Sequence, residues 1–180
     1  MISQITRRSK AASVFDALCA KSFQMEECLL LEELIEKFCT AFEDELNSSD
    51  YLGSELCSFP HGSCEATSQM LALYLQSEGI DNVVYTRNET EHLEVGNIHY
   101  WVVVDDQIII DLTAHQFQEF SGSFICSTDS TFHGKFNQLR ASSPDIASLD
   151  RPLSCDSNIE FFKRVMSRLE CALLVDHADT

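Results

Sequence analysis

Two apolar runs separated by three polar residues constrain this chain most: Ile98 to Val104 and Ile108 to Leu112, with Asp105-Asp106-Gln107 between them. Short runs rich in β-branched residues, joined by so brief a polar segment, predict an antiparallel hairpin. Each run also carries one residue that a dry strand does not readily accept. His99 opens the first beside Trp101, and Asp111 sits near the end of the second. Side chains alternate faces, so His99, Trp101 and Val103 share one face, and Asp111 joins them only if the loop has an odd length. A two-residue turn at Asp105-Asp106 pairs Val104 with Gln107 and sends Asp111 to the wrong side. A three-residue loop pairs Val104 with Ile108 and Trp101 with Asp111, diagonal to His99, across a backbone gap of roughly 7–8 Å that the two side chains can bridge. An unpaired carboxylate in so apolar a stretch is costly, so Asp111 is expected to have a partner.

Around this hairpin the periodicity changes twice. From about 11 to 46, Val14, Leu18, Leu31, Leu34, Ile35, Phe38 and Phe42 recur at three and four with acidic residues between them, predicting two amphipathic helices broken near Ser22. Asn47 to Asp50 and Gly53 mark a loop, followed by the irregular segment Cys57-Ser58-Phe59-Pro60-His61-Gly62-Ser63. A helix then starts at Ser63 or Cys64, with Ala66, Met70, Leu71, Leu73, Tyr74 and Leu75 apolar and Gly79 as its stop. Val83-Val84-Tyr85 reads as a strand, ended by a polar break from Asn88 to Glu91. The stretch from about 114 to 150 is an irregular excursion with a short strand at Phe124-Ile125-Cys126, of the kind that often shapes a binding site. A closing helix spans about 156 to 175, with Ile159, Phe162, Met166, Leu169 and Leu173 as its core stripe. Helices, an antiparallel sheet and a terminal helix make an α+β fold, expected as one domain over 1–180 with its core in about 57–117.

Composition narrows the function classes. Twelve Lys and Arg against 29 Asp and Glu leave a formal charge of −17, a field that repels nucleic acid and anionic lipid. Neither is expected as a partner. No run approaches a membrane span, Leu29-Leu30-Leu31 being flanked by Glu26, Glu27, Glu32 and Glu33. Arg7, Arg8 and Lys10 are followed by a stretch broken at Ser13 and Asp16, so no Sec-type signal is expected; export would use another route. Eight cysteines (Cys19, Cys28, Cys39, Cys57, Cys64, Cys126, Cys155, Cys171) in a long helix-rich chain suit reduced thiols in a cytoplasmic setting. Cys19, Cys28, Cys39 and Cys171 fall in helical patterns and are expected to be small buried hydrophobes.

Cys64 is different. A thiol in the first turn of a helix meets unpaired backbone N–H groups and the positive end of the helix dipole, which favour thiolate over thiol. Gly62 and Ser63 ahead of it are small, so a substrate carbonyl can approach the Cys64 N–H as part of an oxyanion hole. Singly, a helix-start cysteine, a strand histidine and a strand-end aspartate all have structural explanations. Together they supply a nucleophile, a base and an orienter for the base.

In that order, with F-P-x-G-x-C from Phe59 to Cys64, H-x-W from His99 to Trp101 and D-x-T-x-x-Q-F from Asp111 to Phe117, the chain resembles the transglutaminase-like branch of papain-like cysteine enzymes. The resemblance covers roughly a third of the chain, and it implies a nucleophile helix packed on an antiparallel sheet and acyl transfer at an amide. Members include cross-linking transglutaminases, proteases, peptide amidases, leader-peptide proteases and glutamine deamidases that bacteria deliver into host cells. The expected catalytic residues are therefore Cys64, His99 and Asp111, with Ser63 and Gly62 beside the substrate and Trp101 shielding the His/Asp pair. The expected substrate is a protein or peptide carrying Gln or another amide, and no cofactor is required. Family members often complete the oxyanion hole with an upstream Gln or Trp; none stands at the matching distance, and Cys57, Ser58 and His61 are the nearest polar groups.

Two rival readings stand beside this one. Cys57, His61 and Cys64 with His115, Cys126 or His133 form an alternative zinc set, although the paired short Cys/His knuckles of structural zinc modules are missing. The other rival keeps the fold and drops the chemistry, leaving an acidic protein-interaction module. On that view Glu26-Glu27, Glu32-Glu33 and Glu43-Asp44-Glu45 are solvated helix faces that favour a basic partner.

Overall fold

A computed structural model describes residues 29–50, 52, 54–91, 97–117, 120, 122–150 and 158–176. Among these the chain is α+β, with three α-helices and a five-stranded antiparallel sheet. It divides into two compact units, Met1–Glu36 and Lys37–Thr180, whose boundary falls inside the first helix, α1, at 29–48. Of the first unit only 29–36 is described, as helix with Leu31, Leu34 and Ile35 buried. The helix expected before Ser22, and Cys19, Cys28 and Cys155, lie outside the described residues.

In the second unit the helical stripe continues through Phe38 and Phe42, which gather the other helices by ring contacts. Phe38 stacks on Tyr74 of α2 (Cys64–Ser77) at 5.3 Å, and Phe42 meets Phe161 of α3 (Asn158–Asp176) edge-on at 5.2 Å. Helix α1 runs on through Asn47 and Ser48, two residues that the loop signal had claimed. Gly79, just beyond α2, has φ of +85°, the left-handed conformation in which helices commonly end. On α3 the buried stripe is Phe161, Phe162 and Val165, while Ile159, Met166 and Leu169 are half-buried. The expected stripe is thus rotated toward Phe161, the residue that meets Phe42.

The sheet runs β4-β3-β2-β1-β5, with β1 Val83–Glu89, β2 Ile98–Val104, β3 Ile108–Asp111, β4 Ile125–Ser127 and β5 Asn137–Ser142. Strand β1 passes through Asn88 and Glu89, where a polar break was expected, because it is paired on both sides, with β2 and with β5. Asn88 is buried there, donating its amide to the Thr86 hydroxyl and carbonyl. Strand β5 has no apolar alternation and is exposed over Asn137–Ala141, as an edge strand tolerates; it left no hydrophobic signal to read.

The hairpin turns as odd parity requires. Val104 pairs with Ile108, and Val102 with Ile110, around the three-residue loop at 105–107. Asp105 and Asp106 hold positive φ, 51° and 56°, which short polar side chains adopt more readily than branched ones. The two faces of the sheet have separate environments. Val83, Tyr85, Val102, Val104 and Ile110 are buried on one, and Tyr100 on that face hydrogen-bonds Glu65 in the first turn of α2. His99, Trp101 and Asp111 lie on the other, under the excursion that follows β3.

Glu45 departs from the solvated acidic face expected of 43–45. It is buried on α1, where Arg164 and Arg168 of α3 and the Ser49 hydroxyl all donate to its carboxylate, Arg168 Nε at 2.7 Å and Ser49 Oγ at 2.7 Å. Burial opposes its charge, but the Ser49 bond and the two guanidinium groups win and hold its carboxyl down to about 2. A depressed carboxylate contributes stability that is complete above its unfolded value near 4.5 and is lost as pH falls toward 2. Glu45→Ala is expected to destabilise by about 2–3 kcal/mol near neutrality. Urea melts should show the deficit shrinking as pH falls from 5 toward 2.

Candidate active site

Helix α2 begins at Cys64, with Ser63 as its N-cap residue; the Thr67 N–H donates to the Ser63 carbonyl at 2.9 Å, forming the first helical bond. First-turn N–H groups have no intrahelical acceptor, so the Cys64 N–H is presented together with its thiol. The Cys64 side chain is partly exposed, which leaves the thiol within reach of solvent. Ser63 itself is fully buried, and its hydroxyl donates to the Pro60 carbonyl at 2.9 Å. That hydroxyl braces the loop ahead of the helix and is not turned to a substrate. Gly62 takes φ of +73°, and a Cβ there would meet open space. Gly62 therefore serves the left-handed turn into the helix more than it makes room for a ligand.

His99 and Asp111 meet across the hairpin. The His99 Nε2 lies 2.7 Å from Asp111 Oδ2, and both side chains are essentially inaccessible to solvent. Asp111 Oδ1 accepts the Thr113 backbone N–H at 2.8 Å and its hydroxyl at 3.1 Å. Burial works against the Asp111 charge, but the positive charge of His99 and hydrogen bonds from His133, His99 and the Thr113 backbone hold its carboxyl well below the usual range. Burial likewise pulls His99 down, yet the Asp111 charge and hydrogen bond outweigh it, and the imidazole is pushed up to about 9. The Cys64 side chain, within hydrogen-bonding reach of the ring, adds to that rise.

The rest of the pocket comes from the segment after β3. In the 3-10 turn Ala114–Gln116 the Gln116 amide nitrogen donates to the Thr113 carbonyl at 3.0 Å, which fixes the orientation of its carboxamide. The same nitrogen lies 3.3 Å from His99 Nδ1, the ring nitrogen that Asp111 leaves open. Phe117 stands edge-on to His99 at 5.0 Å, and Trp101 lies 5.7 Å from it. Phe132 and Phe136 close the wall, Phe136 meeting Trp101 at 5.4 Å. Trp101 is buried against this wall.

One member had no signal tying it to the pair. His133, in the 3-10 turn His133–Lys135, directs Nε2 at Asp111 Oδ2 from 3.1 Å, while its Nδ1 is 2.6 Å from the Ser130 hydroxyl. Its sequence surroundings lack periodicity, and only the fold brings it beneath Trp101, at a ring separation of 4.6 Å. Among the described residues, His99, Asp111 and His133 are the group whose donor atoms converge closely enough to consider for a metal, all within 4.8 Å. An ion at about 2.0–2.1 Å from three tetrahedral donors holds those donors roughly 3.3 Å apart. Separations of 2.7 and 3.1 Å to one carboxylate oxygen are those of charge-assisted hydrogen bonds instead. The alternative set around Cys57 and His61 does not converge among the described residues; both are exposed, Cys57 donating to the Ser54 carbonyl. Cys171, expected to be buried, is exposed on α3.

No known family, curated protein or solved structure matches this chain.

The geometry fixes the sign of a pH effect. A histidine raised from 6.5 to about 9 contributes stability that is complete below 6.5 and is lost as pH rises through 9. Asp111→Asn removes the cause and leaves burial unopposed, so the His99 midpoint, followed by NMR, should fall from about 9 to 6.5 or lower. Urea melts of the wild type should weaken from pH 6.5 to 9, and those of Asp111→Asn should not.

Proposed function

We propose that this chain is a cysteine-dependent amide hydrolase or acyl transferase built on a papain-like, transglutaminase-like plan. The observation that carries the proposal is the buried His99–Asp111 hydrogen bond of 2.7 Å, with its imidazole in reach of a thiol at a helix start. His99 takes the Cys64 proton, and the sulfur attacks a carboxamide or peptide carbonyl. The imidazolium, steadied by Asp111, then protonates the departing amine or ammonia. Water resolves the acyl-enzyme to give hydrolysis, or an amine resolves it to give a cross-link.

The Cys64 N–H supplies one oxyanion donor. Gln116 suits the second. One N–H of its amide is held by the Thr113 carbonyl, and the other faces the ring nitrogen next to the thiol. In the thiolate–imidazolium pair that nitrogen already carries its proton and does not accept, so the Gln116 N–H turns to the oxyanion that forms when the sulfur attacks. The acidic surface is compatible with a basic protein substrate, which electrostatic attraction would draw in.

A small haloacetamide should alkylate Cys64 at least about tenfold faster than the other exposed cysteines, since a paired thiolate far outreacts an ordinary thiol near neutrality. His99→Ala should erase that preference. Equal labelling of all cysteines, or a preference that survives His99→Ala, would overturn the proposal. Cys64→Ala used as bait should retain a substrate that the wild type converts, read by mass spectrometry as a glutamine gaining about 1 Da or as a cleaved or cross-linked peptide. On that substrate Gln116→Ala should lower kcat by about 100-fold, the usual loss for one oxyanion donor, while haloacetamide labelling stays near wild type.

A further inference from the structure

A carboxylate oxygen shared by two buried imidazoles is more than an orienter for His99 requires. We propose that His133 is a positioning residue of the Cys64–His99–Asp111 site: its Nε2–H donates to the Asp111 oxygen that His99 uses, so one negative charge serves two rings and only one ring takes up the proton. The inference rests on the cysteine-enzyme proposal for its purpose, though its geometry stands independently.

Hydrogen-bond accounting around the five side chains assigns the protons. Asp111 Oδ1 is occupied by the Thr113 N–H and hydroxyl, at 2.8 and 3.1 Å, and Oδ2 faces His99 Nε2 at 2.7 Å and His133 Nε2 at 3.1 Å. An ionised carboxylate only accepts, so both Nε2 atoms carry hydrogen. The His133 backbone N–H donates to Ser130 Oγ at 3.4 Å, which turns the hydroxyl hydrogen toward His133 Nδ1, 2.6 Å away. An Nδ1 that accepts and an Nε2–H that donates describe a neutral imidazole in one tautomer. A second positive charge on the same carboxylate would be uncompensated in this dry setting, and the Trp101 and Phe132 rings close around His133, at 4.6 and 5.1 Å, where water would otherwise relieve it.

His133 thereby tempers Asp111. Two donors on Oδ2 spread the charge that holds the His99 proton; one donor concentrates it. Because Thr113 keeps Oδ1 in place, loss of His133 changes the strength of the His99–Asp111 bond without turning the carboxylate. His99 then binds its proton more tightly and becomes a poorer acid toward the leaving group, so a neutral partner at 133 suits a group that must both accept and release a proton.

The ionisable groups facing this cluster are few enough to follow. Cys64 faces His99 from α2, and His115 feels Asp111 from the 3-10 turn after β3, with Glu43 and His61 acting on His115 in turn. Burial holds His115 below the ordinary histidine value, so it titrates well away from His99. Lys135 on the His133 turn places its ammonium against the Phe132 ring, 5.7 Å from the ring centre.

The test is an NMR titration of the histidine ring nitrogens of the full chain, with His99 assigned by loss of its signal in His99→Gln. His133→Phe keeps a flat ring and removes the donor, and it should raise the His99 midpoint by about one pH unit, part of the worth of a hydrogen bond to a charged group. Ser130→Ala frees the tautomer of His133 and should move the midpoint in the same direction by less. His133→Gln, whose amide N–H can reach Oδ2, should restore the wild-type value to within about 0.3 units. An unmoved or lowered His99 midpoint in His133→Phe overturns the proposal, as does a His133 that titrates in place of His99. If His133→Phe does not fold, Ser130→Ala decides by the same criterion. Failure of the enzyme proposal registers separately, as Cys64 labelling indifferent to His99→Ala.

Discussion

A carboxylate in a dry interior must be surrounded by donors, and the structure is organised around meeting that demand at Asp111. Its two oxygens receive four donors, from Thr113, His99 and His133. Each comes from a different piece of chain: the residues just after β3, the neighbouring strand, and the excursion 22 residues further on. The length of the hairpin loop, the turn that brings Thr113 back onto its own strand and the aromatic cover over Trp101 all answer to the same group. Desolvation that would otherwise neutralise Asp111 becomes the reason its field on His99 is strong, because no water intervenes to screen it.

The sheet separates mechanical from chemical duties. One face is apolar and holds α2 against β1 and β2, where Val83, Val102 and Val104 are buried. The opposite face carries the imidazole and carboxylate. His99 stands one residue into β2, and it is near this end of the strand that a thiol from one face and a ring from the other can meet. Behind this assembly α1 and α3 are tied by Phe42 against Phe161 and by the buried Glu45 between Arg164 and Arg168, whose side chains are partly open to solvent.

The legible parts were those that rest on local order. Alternation and loop length in 98–112 specified which face Asp111 takes, and the change of period at Ser63 located the start of α2. His133 and Gln116 were harder, because polar contacts across 22 and 17 residues leave no periodic trace in the chain. Strand β5 was invisible for a related reason: an edge strand with both faces wet needs no apolar alternation. Asn88 to Glu91 read as a break since polar residues were assumed to seek water, whereas Asn88 lies buried in β1 and donates its amide nitrogen to the Thr86 carbonyl and hydroxyl. Glu45 looked like one more surface acid until α3 brought two guanidinium groups to it. In each case partners distant in sequence decided the outcome, and composition near the residue pointed the other way.

The order of these pieces along the chain has a consequence for how the protein comes into being. The thiol, the imidazole and the carboxylate are all synthesised before residue 132, and the wall of Phe132, His133 and Phe136 follows them. Until that wall docks, Asp111 is bathed in water, its field on His99 is screened, and Cys64 has no strongly basic neighbour. A growing chain therefore passes through most of its translation with the His99–Asp111 pair still open to water. The field of Asp111 on His99 is completed late, when Phe132 and Phe136 shut out solvent, and that order is written into the sequence.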